Sequence, residues 1–188
     1  MIVLCDVDGV IANFTAAVLD VVADVTGERH PEAAVDQWSI KDALRLPPAA
    51  WRAVVKEITA PGFAYGIEPY PLAVAGVKRI AARSDLYFVT SPWWTSNTWM
   101  HDRTDWLVKY FGQDQGHKVI HTSHKSVIRG DALIEDKPET LSAWLPHAND
   151  GAQALLMDRP YNKGPHGRQF TTSCQRVFTW ADIEGQIK

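Results

Sequence analysis

Apolar and polar positions alternate along this chain in blocks that predict a regular order of elements. Five apolar runs read as strands: Ile2–Asp6, Leu86–Thr90, Val119–His121, Ala132–Asp136 and Ala154–Met157. Helical spacing lies between them. Val77–Arg83 precedes the second strand, Ser96–Phe111 follows it, and Pro138–Leu145 follows the fourth. In the second of these, Trp99, Arg103, Trp106 and Tyr110 share one helical face, and Gly112 is the stop signal. Strands alternating with helices predict an α/β fold: a Rossmann-like parallel sheet with helices on both faces.

Residues 15–71 break this rhythm. Thr15–Val25 reads as a helix ending near Gly27, and Pro47-Pro48 opens a second over Ala49–Ile58, closed by Pro61-Gly62. Ligand sites of parallel α/β sheets lie at the carboxyl ends of the strands. An insertion of about 57 residues leaving that edge is expected to be a small helical cap; a helical excursion packed elsewhere is the alternative. The predicted domains are thus a core of residues 1–14 and 72–188 and a cap of residues 15–71.

Composition narrows the class. With 188 residues, 46% of them hydrophobic, the chain suits one compact core with a small accessory unit. A net charge of −3 argues against extended nucleic-acid binding. Cys5 and Cys174 suggest no disulfide scaffold, and with no signal peptide or membrane span visible the expected location is cytoplasmic. The oligomeric state is open, a homodimer included.

The first strand ends in Asp6-Val7-Asp8-Gly9-Val10. Two acids so placed repel each other and resist desolvation. A divalent cation relieves that conflict, as does one acid carrying a proton while the other stays ionised. Gly9 lets the backbone approach an anion. Thr90 and Ser91 end the second strand with two hydroxyls that can donate to a phosphate; a turn cap is the plainer reading. Lys125 can neutralise a phosphate, although most lysines are solvated. Glu135 and Asp136 end the fourth strand, a carboxylate pair suited to Mg²⁺. His117, His121 and His124 do not place three imidazoles together for zinc. Trp99, Trp106 and Tyr110 read as core, whereas Trp93 and Trp94 follow the hydroxyl pair and suit either a pocket edge or simple packing.

In this order the four segments resemble the motifs of the haloacid dehalogenase-like superfamily. Within it, Asp6–Phe14, Pro61-Gly62-Phe63, Phe88–Pro92, Trp106–Gly112, Asp131–Pro138 and Asp158–Asn162 are similar to segments of the 5′(3′)-deoxyribonucleotidases. The chain departs from that pattern at Ser123 and His124, where an Arg-Asp pair is common, and at Glu135, where Asp is usual. The resemblance implies a Mg²⁺-dependent phosphatase of deoxyribonucleoside monophosphates. Asp6 would be the nucleophile and Asp8 the general acid and base, with Thr90 and Lys125 completing the catalytic set. Gly9, Thr90, Ser91 and Lys125 would bind phosphate. Asp6, Asp8, Glu135 and Asp136 would hold the metal, and Phe14 and Trp38 would contact the base. The alternatives are a phosphatase of another small phosphomonoester or of a nucleic-acid end, and a non-enzymatic phosphate-binding regulator.

Overall fold

The computed structural model describes residues 1–164 and 174–187. Six parallel strands form one sheet: β1 (Ile2–Cys5), β2 (Asp85–Thr90), β3 (Val119–His121), β4 (Ala132–Glu135), β5 (Gln153–Met157) and β6 (Gln175–Val177), in the order β3-β2-β1-β4-β5-β6. β1 lies inside the sheet, with Cys5 opposite Phe88 of β2 on one side and Ile134 of β4 on the other.

Alternate strand residues feed opposite faces, as the pleat requires. Val3, Cys5, Phe88, Ile134 and Leu155 enter one core. There they meet α5 (Ala73–Ala81), α6 (Trp99–Phe111) and α9 (Trp180–Gln186) through Val77, Ile80, Trp106, Leu107, Trp180 and Ile183. Leu4, Val89, Leu133 and Leu156 enter the other, against Leu141 and Trp144 of α8 (Pro138–Trp144). The short α7 (Gln113–Gly116) follows α6. Helices thus cover both faces of a Rossmann-like sheet.

The sequence reading lacks β6 and α9. β6 is a three-residue strand with polar Gln175 and Arg176, too short for an apolar run to register. α9 begins at a reciprocal cap between Thr179 and Asp182. Its Trp180 sits so close to Gly76 that a Cβ there would stand 2.6 Å from the indole. Helix α6 also begins at Trp99 rather than Ser96, because residues 91–98 form an irregular loop.

Between β1 and α5 the chain forms α1 (Phe14–Thr26), α2 (Ile40–Ala43), α3 (Pro48–Ile58) and α4 (Phe63–Gly66). Val18, Leu19, Val22, Val35, Ile40, Val54 and Ile58 make a separate apolar cluster there. The outgoing and returning chains are tied together. Asn13 N–H donates to the Glu68 carbonyl (2.9 Å), and Tyr70 N–H to that of Ile11 (2.7 Å). Among the described residues no helix is long and apolar enough to cross a membrane.

Candidate active site

The carboxyl ends of five strands converge on one cavity of about 550 Å³. The turn after β1 supplies Asp6, Asp8 and Gly9, and the end of β2 supplies Thr90 and Ser91. Lys125 comes from the turn after β3, Glu135 and Asp136 from the end of β4, and Tyr161 from the turn after β5. Neighbouring parallel strands all end on the same edge, so residues more than a hundred positions apart meet there.

Lys125 is buried, not solvated. Its Nζ lies 2.6 Å from Asp6 Oδ1 and 2.7 Å from Glu135 Oε2, which leaves the third ammonium N–H for a ligand. Burial acts to lower the Lys125 pKa, but the charges of Asp6 and Glu135 outweigh it and raise the value. Burial pushes Glu135 up, yet Lys125 and hydrogen bonds carry it below its ordinary value. The other oxygen of Glu135 accepts from the backbone N–H groups of Asp136 (3.0 Å) and Lys137 (3.2 Å). Glu135 thereby anchors both the lysine and the turn.

Asp6 and Asp136 are pushed well above the usual carboxylate range, first by burial and then by nearby carboxylates. Asp6, Glu135 and Asp136 bring ligand atoms within 4.8 Å of one another. Asp136 Oδ1 is buried without a partner among the described residues, while its Oδ2 accepts a short hydrogen bond from Tyr161. A carboxylate crowd with one bare buried oxygen and too little positive charge fits a hard divalent cation bound by oxygen.

Gly9 has φ +77°, and a Cβ at this position would collide with the Asp136 carboxylate and the Tyr161 hydroxyl. The missing side chain therefore admits Asp136 to the site. The same turn is held from behind by Arg159, whose Nε donates to the Gly9 carbonyl at 2.6 Å. Thr90 Oγ1 is likewise buried with no partner among the described residues, and Thr90 lines the cavity. Ser91 Oγ instead donates to the Thr122 carbonyl (3.2 Å).

Phe14 stands on the wall with Trp93 and Trp99, their ring centroids 6.1–6.3 Å apart. Trp99 is buried, as a core residue should be, but it also faces the cavity. Trp106 lies wholly in the core. Trp38 is at the rim, 54% exposed, its ring centroid 5.6 Å from that of Tyr161 and 4.6 Å from Lys137 Nζ. Trp94 points largely to solvent and donates to Ser123 Oγ (3.0 Å). Among the described residues the histidines form no metal cluster.

Two residues near the carboxylates escape sequence reasoning. Tyr161 lies in the Asp158–Asn162 segment that the resemblance covers, but that resemblance gives the tyrosine no role at the site. Arg103 is fully buried, with Nη2 2.6 Å from Asp8 Oδ1. The signal for it was an arginine on an otherwise apolar helix face, since a buried cation requires an anion.

Comparison with known proteins agrees with this geometry. The family model for the 5′ nucleotidase, deoxy (pyrimidine), cytosolic type C proteins matches residues 1–188. The human mitochondrial 5′(3′)-deoxyribonucleotidase is 30% identical over 185 residues, covering 96% of this chain and 78% of that protein. A haloacid dehalogenase-like family hydrolase from Streptococcus pneumoniae shares the fold, with a TM-score of 0.64 at 12% identity over 100% of this chain and 98% of that one. So does the HAD-type protein YfnB of Bacillus subtilis, solved bound to magnesium, with a TM-score of 0.60 at 13% identity over 100% and 98%. A match along its whole length, on a sheet of haloacid dehalogenase-like fold that gathers acids, hydroxyls and a lysine at one edge, places this chain in the 5′(3′)-deoxyribonucleotidase family of phosphoric monoester hydrolases.

Proposed function

We propose that this chain is a Mg²⁺-dependent phosphatase of deoxyribonucleoside monophosphates that works through an aspartyl-phosphate on Asp6. The observation that carries this reading is the Asp6 carboxylate held against Lys125 beneath an aromatic-walled cavity. In the first step an Asp6 oxygen attacks phosphorus while the bond to the sugar oxygen breaks. Asp8 delivers a proton to that oxygen as it leaves. In the second step water attacks the phosphorus of the acyl phosphate, the bond from phosphorus to the Asp6 oxygen breaks, and inorganic phosphate leaves while Asp8 takes up the water's proton. Lys125 directs its remaining N–H, and Thr90 its unpartnered hydroxyl, to the phosphoryl oxygens. Gly9 and Ser91 complete the phosphate cradle, Ser91 through its backbone because its hydroxyl is engaged with the Thr122 carbonyl. Asp6, the Asp8 backbone carbonyl and Asp136 would hold the cation, with Glu135 acting through water. Bound Mg²⁺ supplies positive charge that offsets repulsion between the anionic nucleophile and the phosphate.

Residues 15–71 serve as the cap in this reading. Phe14 with Trp93 and Trp99 receives the base, and Trp38 closes the rim. The space of about 550 Å³ accommodates a nucleotide. The largely apolar wall of Val35, Ile40 and Trp51 favours a sugar lacking one hydroxyl.

The test is phosphate release from paired deoxy- and ribonucleoside 5′- and 3′-monophosphates. Release from the deoxy compounds is expected to exceed that from the ribo compounds. It should disappear with EDTA and in Asp6→Asn. Full activity in EDTA removes the metal assignment, and no release from any nucleotide removes the nucleotidase reading.

A further inference from the structure

Arg103 has no exposed side-chain area, and among the described residues its charge has one carboxylate partner, Asp8, at 2.6 Å. Its Nε and Nη1 are buried with no partner among the described residues. The guanidinium lies between Trp99 and Trp106, with Cζ 5.7 Å and 5.2 Å from the two ring centroids. Stability does not account for this arrangement. An apolar side chain of similar volume at such a place usually leaves a fold as stable or more so. What the arginine does accomplish is geometric. It engages Oδ1 of Asp8 and leaves Oδ2 without a hydrogen bond from the described residues, on a side chain that is 22% exposed and lines the cavity.

We propose that Arg103 is a positioning residue that locks the Asp8 carboxyl by Oδ1 so that Oδ2 faces the leaving oxygen of the substrate. The inference rests on Asp8 acting as the acid and base of the phosphatase. As the Asp6–phosphorus bond forms and the phosphorus–oxygen bond breaks, the proton passes from Asp8 Oδ2 to the departing oxygen. The guanidinium keeps its own protons throughout. It donates to Oδ1 before and after the transfer, and the carboxylate charge that develops is met by a cation already in place. Such help matters in proportion to how badly the leaving group needs a proton. A sugar alkoxide needs one, whereas p-nitrophenolate leaves without it.

This gives a test that a merely structural arginine would fail. kcat/KM, which reports the phosphorylation of Asp6, is measured on dUMP and on p-nitrophenyl phosphate for wild type, Arg103→Met and Arg103→Lys. Arg103→Met should lower the value about 100-fold on dUMP and less than about threefold on p-nitrophenyl phosphate, with KM little changed. Arg103→Lys, a shorter cation with one point of charge, should fall between, regaining about tenfold on dUMP. In an Asp8→Asn background, Arg103→Met should add almost no further loss on dUMP, because the two residues act as one unit. If Arg103→Met does not fold, the Lys variant reads the same ester ratio. Equal losses on both esters, or an undiminished loss in the Asp8→Asn background, overturn the proposal while leaving the phosphatase reading intact. A wild-type protein inactive on every phosphomonoester overturns both.

Discussion

Replacing Lys125 with methionine removes the cation that joins Asp6 to Glu135. The ammonium is 5% exposed and touches both carboxylates at 2.6 and 2.7 Å. Methionine fills a similar space, so the change is chiefly electrostatic. Removing one partner of a buried pair costs about 3–5 kcal/mol. The site limits the damage by taking up a proton, since burial and Glu135 already push Asp6 upward. A loss near the lower bound, about 3 kcal/mol, is therefore expected at pH 7.5. For 188 residues, at about 2–4 °C per kcal/mol, Tm should fall by about 6–12 °C. The pH dependence has a definite sign. Glu135 has a lowered folded-state pKa, so its contribution is present above its ordinary value, about 4.3, and is lost as pH falls. Lys125 has a raised one, so its contribution is present below its ordinary value, about 10.4, and is lost only as pH climbs past it. The gap between wild type and variant should be widest from about pH 6 to 9 and should close toward pH 4. Thermal melts followed by circular dichroism across pH 4–9, without added metal, measure it. A Tm within about 2 °C of wild type at pH 7.5, or a gap that widens on acidification, refutes the account.

Gly9→Ala should lower Tm and abolish phosphate release, because the new methyl group displaces the Asp136 carboxylate and the backbone holds a positive φ; an active, equally stable variant contradicts this. Mg²⁺ at about 100 times its dissociation constant should stabilise the protein by about 2.7 kcal/mol at pH 7.5, seen as a Tm rise in differential scanning fluorimetry. Asp6 and Asp136 have raised pKa values, so the metal-free fold loses stability as pH rises through their titration, and the rise on adding Mg²⁺ should shrink on acidification. A shift independent of pH counts against those two ligands. Trp93→Ala should raise KM for dUMP about tenfold while changing that for p-nitrophenyl phosphate little, and equal changes in steady-state kinetics would show that the ring does not meet the base.

Strand and helix periodicity carried most of the fold, because β1, β2, β4 and β5 are buried on both faces and leave continuous apolar runs. β6 escaped because a three-residue edge strand needs only Val177 to be apolar. At the site, charge in unusual places was the readable signal: Asp6 and Asp8 after one strand, Glu135 and Asp136 after another. What each of these side chains touches was not readable. Whether Lys125 is buried depends on how the turn after β3 packs against β4. The base wall was also only partly visible. Trp99 has core spacing on α6, and its second face becomes a pocket wall only when the 14–66 helices bring Phe14 opposite. Tyr161 lies in the recognisable Asp158–Asn162 segment, but its contact with Asp136 was not readable, since it follows from where β5 ends beside β4.

The place of β1 inside the sheet bears on how the protein is made. β1 emerges from the ribosome about 130 residues ahead of β4, its partner on one side. At about 5–20 residues per second, that edge waits roughly 6–26 s for β4 to be synthesised. During the wait Val3, Leu4 and Cys5 present an unpaired apolar edge, the kind of surface on which nascent chains aggregate. The acids that follow immediately, Asp6 and Asp8, are the residues that discourage such pairing. The pair proposed for catalysis thus also sets two acids directly beside the strand that waits longest for its last neighbour.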